Sequence, residues 1–305
     1  MNDSGRPRRY GRMRISILLA TVPLLAGSFL SAAPPVVIDD LQLTKKLAEG
    51  IGAFADAKNA TNGETLSKQL QAAPASAAIT LPADLPPANT YGDRLKSVFA
   101  IGSVYKCGKC EHWHPRGVAT AWCLTADGVM VTNYHVFEKA TGDSWGVCGA
   151  DGTVYRISAI LAASKSADAA LFKVDAKDLA PLALGDDAPV GEPVSIISHP
   201  DGRLFFQTSG EVARYAKAPR RKGPADTIWM DVTAEYAKGS SGGPVMTREG
   251  RVVGMVSNTQ SIQYGPPGKK GEPTGPHQMV IRNCVPVSAI RALTAKEPAK
   301  DASER

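Results

Sequence analysis

No apolar run in this 305-residue chain reaches the about 20 residues that a membrane-spanning helix needs. The nearest, Ile15 to Leu30, follows Arg6, Arg8, Arg9, Arg12 and Arg14 and precedes Ser31, Ala32 and Ala33. That is the layout of a secretory leader, so residues 1–33 are expected to be a signal peptide and the protein to be periplasmic or secreted. The membrane is a partner only if the leader stays uncleaved. No Cys follows the run, which argues against a lipoprotein anchor. Net basic charge is also scarce outside the leader. Loss of those five Arg and Asp3 lowers the formal charge of +6 by four, to +2. A nearly neutral mature chain gives no reason to expect nucleic acid as a partner. The cluster Lys217, Arg220, Arg221 and Lys222, broken by Pro219, reads as a solvated loop. There is no internal repeat.

Residues 34–90 are rich in Ala, Pro and polar residues and lack a sustained apolar period. They are expected to be a linker or prosegment, largely disordered. Within them, Leu41, Leu43, Leu47, Ile51 and Phe54 recur at helical spacing and predict one short amphipathic helix over Leu41–Phe54. From Tyr91 the pattern changes to short runs rich in Val, Ile and Thr, punctuated by turns such as Asp127-Gly128, Asp151-Gly152 and Asp201-Gly202. Strands are predicted at 98–104, 118–124, 129–132, 154–162, 169–174, 194–198, 208–215, 228–232, 244–246, 252–257 and 278–281. This describes an all-β domain over 91–293, built as two antiparallel six-stranded β-barrels. Pro286 opens a short terminal helix, Val287–Leu293, and 294–305 are expected to be a disordered tail.

The stretch most specific for chemistry is Gly239-Ser240-Ser241-Gly242-Gly243-Pro244. Ser241 offers a hydroxyl nucleophile, and the backbone N–H groups of Gly239 and Ser241 can converge on one oxyanion. Gly242 and Gly243 keep side chains away from the attacked carbonyl. A serine hydroxyl needs an adjacent base at neutral pH. His135, just after the strand 129–132, supplies an imidazole. Asp168, just before the strand 169–174, supplies a carboxylate to orient that ring.

These blocks, in the order His, Asp, Ser, resemble the trypsin-like (chymotrypsin-fold) serine peptidases, and in particular the bacterial HtrA-like branch without its PDZ module. The resemblance runs from about Tyr91 to Leu293. It rests on Thr132-Asn133-Tyr134-His135-Val136, on the block from Asp168 to Val174, on Ser198-His199-Pro200-Asp201-Gly202, on the Ser241 loop and on the closing strands around Val252 to Ser257. It implies catalysis of peptide-bond hydrolysis on protein or peptide substrates, with no cofactor. It also implies a substrate pocket formed near Glu235, Tyr236 and Ser257, in which Glu235 would favour Lys or Arg while Tyr236 could close the space. Ser240 departs from the Asn or Asp that the family carries before its nucleophile, so a trypsin-style zymogen switch has no acid to pair with. The competing reading is a secreted binding protein that keeps the fold without the activity.

The five cysteines are an odd number. Cys107 and Cys110 with His112 and His114 make a C-x-x-C followed by two His. In an exported protein this is read as a disulfide staple, with zinc on the four residues as the alternative. A second bridge is expected between Cys123 and Cys148, leaving Cys284 buried and free. His199 is expected to be structural, and His277 exposed.

Overall fold

The Val- and Ile-rich runs close into two six-stranded antiparallel barrels in the computed structural model, which describes residues 1, 35–217, 227–265 and 275–295. The first barrel contains β1 (Val98–Lys106), β2 (Trp113–Cys123), β3 (Val129–Thr132), β4 (Ser144–Cys148), β5 (Val154–Ser164) and β6 (Ala169–Val174), paired in the order β1-β2-β3-β6-β5-β4. The second contains β7 (Pro193–Ser198), β8 (Phe206–Lys217), β9 (Ile228–Val232), β10 (Pro244–Met246), β11 (Val252–Gln263) and β12 (His277–Pro286), paired as β10-β11-β12-β9-β8-β7. The all-β, two-barrel expectation therefore holds. Full closure leaves neither sheet with an exposed edge of unpaired backbone. The leader 1–33, the basic cluster from Arg220 to Lys222 and most of the expected tail lie outside the described residues.

Each barrel fills its interior with its own side chains. Ile101, Met130, Phe137, Val147, Ile157 and Phe172 are fully buried in the first, and Ile196, Val212, Met230 and Val245 in the second. A third cluster lies between them and draws Trp122 and Leu171 from one barrel and Ile197, Met246 and Val285 from the other. The terminal helix, which runs Val287–Thr294, adds Ile290 and Leu293 to this seam.

Two expectations are corrected here. The first concerns β4, which completes the first barrel but was absent from the predicted strands. Its run Ser144-Trp145-Gly146-Val147-Cys148 is short and is interrupted by Gly146, so its alternation is weak. The glycine is needed because a Cβ there would come within 2.9 Å of Ile51.

The second concerns residues 35–90, which are ordered along the barrels instead of being a largely disordered linker. Helix α1 (Asp40–Asp56) begins where the Asp39 carboxylate accepts the Gln42 N–H at 2.9 Å, and it buries Leu43, Leu47, Ala48 and Ile51. Helix α2 (Gly63–Ala72), capped by Asn62, buries Leu66 and Leu70. The chain then pairs Ala77 N–H with the Leu293 carbonyl and Ala88 N–H with the Glu249 carbonyl. A one-turn helix, α3 (Tyr91–Leu95), closed by a Thr90/Asp93 capping box, leads into β1. Its buried Arg94 donates to the Ser195 hydroxyl at 2.7 Å and to the Ala88 and Arg248 carbonyls, so the guanidinium fastens this segment to the second barrel. The Ala- and Pro-rich composition hid this because the partners lie far along the chain, in the barrels and the terminal helix.

Candidate active site

Strand pairing brings His135 and Asp168 together. Strand β3 lies beside β6, with Thr132 opposite Ala170, so the residues that follow β3 meet those that precede β6. After β3 the backbone turns at buried Asn133 into the one-turn helix α4 (Tyr134–Glu138), which carries His135. Asp168 sits in the turn before β6 at φ +55°, a left-handed conformation that Asp tolerates better than most residues. The Asn133 side-chain amide donates to the Asp168 carbonyl at 2.9 Å and ties the two turns together.

The carboxylate of Asp168 is 3.0 Å from His135 Nδ1 through either oxygen and also accepts the His135 backbone N–H at 3.2 Å. On the far side of the ring, His135 Nε2 is 2.9 Å from Ser241 Oγ. With the ring proton on Nδ1, facing the carboxylate, Nε2 is left to accept from the serine hydroxyl. The structure thus brings the three predicted residues from two barrels into one hydrogen-bonded row.

The loop that carries Ser241 is anchored to the first barrel by Thr120. Its N–H donates to the Ser241 carbonyl at 2.8 Å, and its hydroxyl donates to the Gly239 carbonyl at 3.0 Å. With those carbonyls engaged, the N–H groups of Gly239 and Ser241 donate to none of the described residues. Gly242 explains its own identity: at φ +88° a Cβ would come within 2.0 Å of the Thr120 carbonyl oxygen. Its smallness serves the contact between barrels. Ser240 is buried and accepts a hydrogen bond from Ser198 at 2.9 Å, filling the inside of the loop.

Ser257, expected in the substrate pocket, turns its hydroxyl to Asp168. The pairing of β11 with β12 slips between Val256 and Asn258, and this bulge re-aims the intervening side chain. Its hydroxyl donates to Asp168 Oδ2 at 2.5 Å, while the Asn258 amide donates back to Ser257 Oγ at 3.0 Å. Sequence reading missed this role because a bulge leaves no local signature. Glu235 and Tyr236 separate as well. The Glu235 side chain is 81% exposed and forms an ion pair with Arg282 at 2.9 Å, so it does not stand as an unpaired carboxylate. Tyr236 is buried, and its hydroxyl donates to the Asn258 and Asn283 carbonyls, with its pKa pushed up by burial and then by Cys284.

The cysteine expectations are also corrected. All five thiols are free. Cys107 and Cys110 sulfurs are 3.5 Å apart, well beyond the roughly 2.05 Å of a disulfide bond. Cys123 and Cys148 cannot bridge, because β1 runs between their strands: β2 and β4 both pair with it, on opposite edges. Two strand spacings put the backbones about 9–10 Å apart, beyond the roughly 7 Å limit for a disulfide. Cys123, Cys148 and Cys284 are buried, and burial pushes each thiol up to about 12. His199 is fully buried as expected, and His277 is exposed.

Two closed antiparallel barrels with this row of side chains across their seam resemble a trypsin-like (chymotrypsin-fold) peptidase domain, and comparison with known proteins gives the same likeness. The family model described as a trypsin-like peptidase domain matches residues 119–255. Among curated proteins, the chain is 34% identical over 144 residues to a probable periplasmic serine endoprotease, DegP-like, of Halomonas elongata, covering 47% of this chain and 29% of that one. It is 32% identical over 156 residues to the DegP-like protein of Brucella suis, covering 49% of this chain and 29% of that one. The chain thus spans under a third of the length of these relatives. Among solved structures, the HtrA-type protease AlgW with a decapeptide shares the fold at a TM-score of 0.52 and 18% identity, covering 67% of this chain and 66% of that one. The HtrA-like resemblance read from the motif blocks is therefore upheld. Among the described residues, no helix is long and apolar enough to cross a membrane.

Proposed function

We propose that this chain is an exported serine endopeptidase acting through an acyl-enzyme on protein or peptide substrates. The observation that carries the reading is the continuous row from Asp168 through His135 to Ser241, with ring-to-hydroxyl and ring-to-carboxylate distances of 2.9 and 3.0 Å. His135 Nε2 accepts the Ser241 proton as Oγ attacks the scissile carbonyl. The carbonyl oxygen becomes an oxyanion, which the uncommitted N–H groups of Gly239 and Ser241 are available to receive. Collapse expels the amine, which takes its proton from His135. Water, activated by the same imidazole, then releases the acid and restores Ser241. Asp168 holds the ring in the tautomer that keeps Nε2 free and stabilises the imidazolium between steps. This sequence needs no cofactor.

Export is supported by the leader pattern of residues 1–33 and by relatives described as periplasmic. Peptide substrates are supported by a fold neighbour described in complex with a decapeptide. Labelling with a fluorophosphonate separates this reading from a binding protein of the same fold, because stoichiometric reaction needs an activated serine. The label should map to Ser241 and vanish in Ser241→Ala, with hydrolysis of a casein-type substrate lost in parallel. An intact, folded protein that neither labels nor cleaves would leave the binding reading in its place.

A further inference from the structure

The tip of the β1–β2 hairpin, on the side of the first barrel occupied by α1, gathers three metal-ligating atoms that the peptidase reading leaves unused. The Sγ atoms of Cys107 and Cys110 and a ring nitrogen of His114 all lie within 4.8 Å of one another. The two sulfurs are 3.5 Å apart, and Cys110 Sγ is 3.1 Å from His114 Nε2. Tetrahedral zinc bonds of about 2.3 Å to sulfur and about 2.0–2.1 Å to nitrogen imply ligand-to-ligand edges of about 3.5–3.8 Å. The sulfur–sulfur edge and the edge from Cys110 sulfur to nitrogen need to open by only some tenths of an ångström to admit the ion.

The backbone is shaped for this. Gly108 at φ +73° makes the tight turn between the cysteines, and the Lys109 N–H points at Cys107 Sγ at 3.4 Å, where it can stabilise a thiolate. His114 is placed by the ladder, which sets it opposite Tyr105, and its ring packs against Tyr105 at 5.5 Å between centroids. A disulfide would join the sulfurs and leave the convergent imidazole without a part. His112 does not join the cluster; it lines a groove against α1 with Glu111 and Trp113.

We propose that Cys107, Cys110 and His114 bind one zinc ion, with solvent in the fourth position, and that the ion fixes the hairpin tip against α1. Two thiolates and an imidazole suit zinc, and both thiols give up their protons to solvent on binding. The coupling to α1 runs through Trp113, the neighbour of His114. Its ring lies over Gly52, where a Cβ would come within 2.2 Å of Cδ1, and its Nε1 donates to Asp56 Oδ2 at 3.1 Å. The Lys106 ammonium sits 4.5 Å above the same ring.

The test is a zinc titration of the full mature chain, reduced and freed of metal, followed by competition with a chromophoric chelator. One equivalent should bind, two thiols should become protected from a disulfide reagent, and cobalt in place of zinc should give intense thiolate-to-metal absorption. Cys107→Ser and Cys110→Ser should abolish these signals. His114→Ala should weaken binding by more than the roughly 10–100-fold that loss of an outer partner costs. His112→Ala should bind like the parent, and circular dichroism verifies that each variant folds. The change in tryptophan emission on zinc binding should be lost in Trp113→Phe, a readout independent of peptidase activity. Failure to bind zinc at micromolar concentrations, equal binding by Cys107→Ser, or a complete Cys107–Cys110 disulfide in protein isolated without reductant would each overturn the site. An emission change that survives in Trp113→Phe would overturn its coupling to α1.

Discussion

Ser257 Oγ donates to Asp168 Oδ2 at 2.5 Å, across the interface between the two barrels. The Asp168 carboxylate belongs to the first barrel and its hydroxyl partner to the second, so barrel docking also sets the carboxylate beside His135. Ser257 meets Ser241 through its backbone carbonyl, which accepts the Ser241 hydroxyl at 3.3 Å, so in the proposed mechanism its own hydroxyl acts by positioning Asp168. Ser257→Ala should lower kcat about tenfold, equivalent to about 1.4 kcal/mol at the transition state, with KM nearly unchanged. Ser257→Thr, which keeps the hydroxyl, should recover much of the rate. A proportionate rise in KM for the alanine variant would assign Ser257 to substrate binding instead.

Gly242 couples the same two barrels by contact. A methyl group there would press on the Thr120 carbonyl, which receives the Thr132 hydroxyl at 2.8 Å, while the Thr120 N–H holds the nucleophile loop. Gly242→Ala should cost about 1–3 kcal/mol of stability through the strained φ and overpacking. Because Ser241 is the adjoining residue, fluorophosphonate labelling should slow further than the loss of folded protein explains. Denaturant melts and labelling rates on the same preparation separate the two effects.

Glu235 is expected to contribute little to the choice of residue before the cut, because its carboxylate is exposed and paired with Arg282. Glu235→Gln should leave a peptide-library profile essentially unchanged. Stability should move by no more than about 0.5 kcal/mol, the usual range for a surface pair. A lost preference for Lys or Arg would instead place the carboxylate in the pocket.

His199 makes the fold acid-sensitive. Its Nδ1 accepts the Phe205 N–H at 2.9 Å, so the neutral ring carries its proton on Nε2, which is buried. Burial lowers its pKa to about 4 from an ordinary 6.5. Between those values the unfolded chain binds the proton and the folded chain does not, so stability rises with pH across the window and is lost as pH falls from 6.5 towards 4. The full contribution is about 3 kcal/mol. In His199→Phe the loss of denaturation free energy between pH 7 and pH 4 should be smaller by that order. An unchanged pH slope would show that His199 is not the titrating group.

What was legible in the sequence follows from the range of the interactions involved. The strands around Val131, Leu171 and Val253 announce themselves because each buries side chains in a local pattern. His135, Asp168 and Ser241 are legible because each stands at the end or beginning of such a strand. The contact of Ser257 with Asp168 was not legible because a one-residue slip between β11 and β12 decides which way its hydroxyl points. The Cys123–Cys148 bridge fails for a topological reason: both residues lie in the first barrel, but β1 occupies the space between their strands. Gly146 weakened the pattern of β4 while serving a contact with Ile51, almost a hundred positions earlier.

The same distance in sequence concealed the part played by the N-terminal segment, and two leucines of α1 test it. Leu47 is 1% exposed against the first barrel, whereas Leu41, in the same amphipathic run, is 86% exposed. Both were assigned to the apolar face of the predicted helix. Leu47→Ala should destabilise the domain by about 2–5 kcal/mol, as expected for deleting a buried leucine side chain. Leu41→Ala should stay within about 0.5 kcal/mol of the parent. The carboxylate of Asp40, at the start of α1, accepts the Leu204 N–H at 2.8 Å, and Asp201 in that loop donates its N–H to the Lys238 carbonyl, next to Gly239. The helix therefore braces the loop that lies behind Gly239. Leu47→Ala should accordingly slow Ser241 labelling at temperatures well below its melting transition. Two equal melting curves for Leu47→Ala and the parent would return residues 40–56 to the status of a dispensable linker.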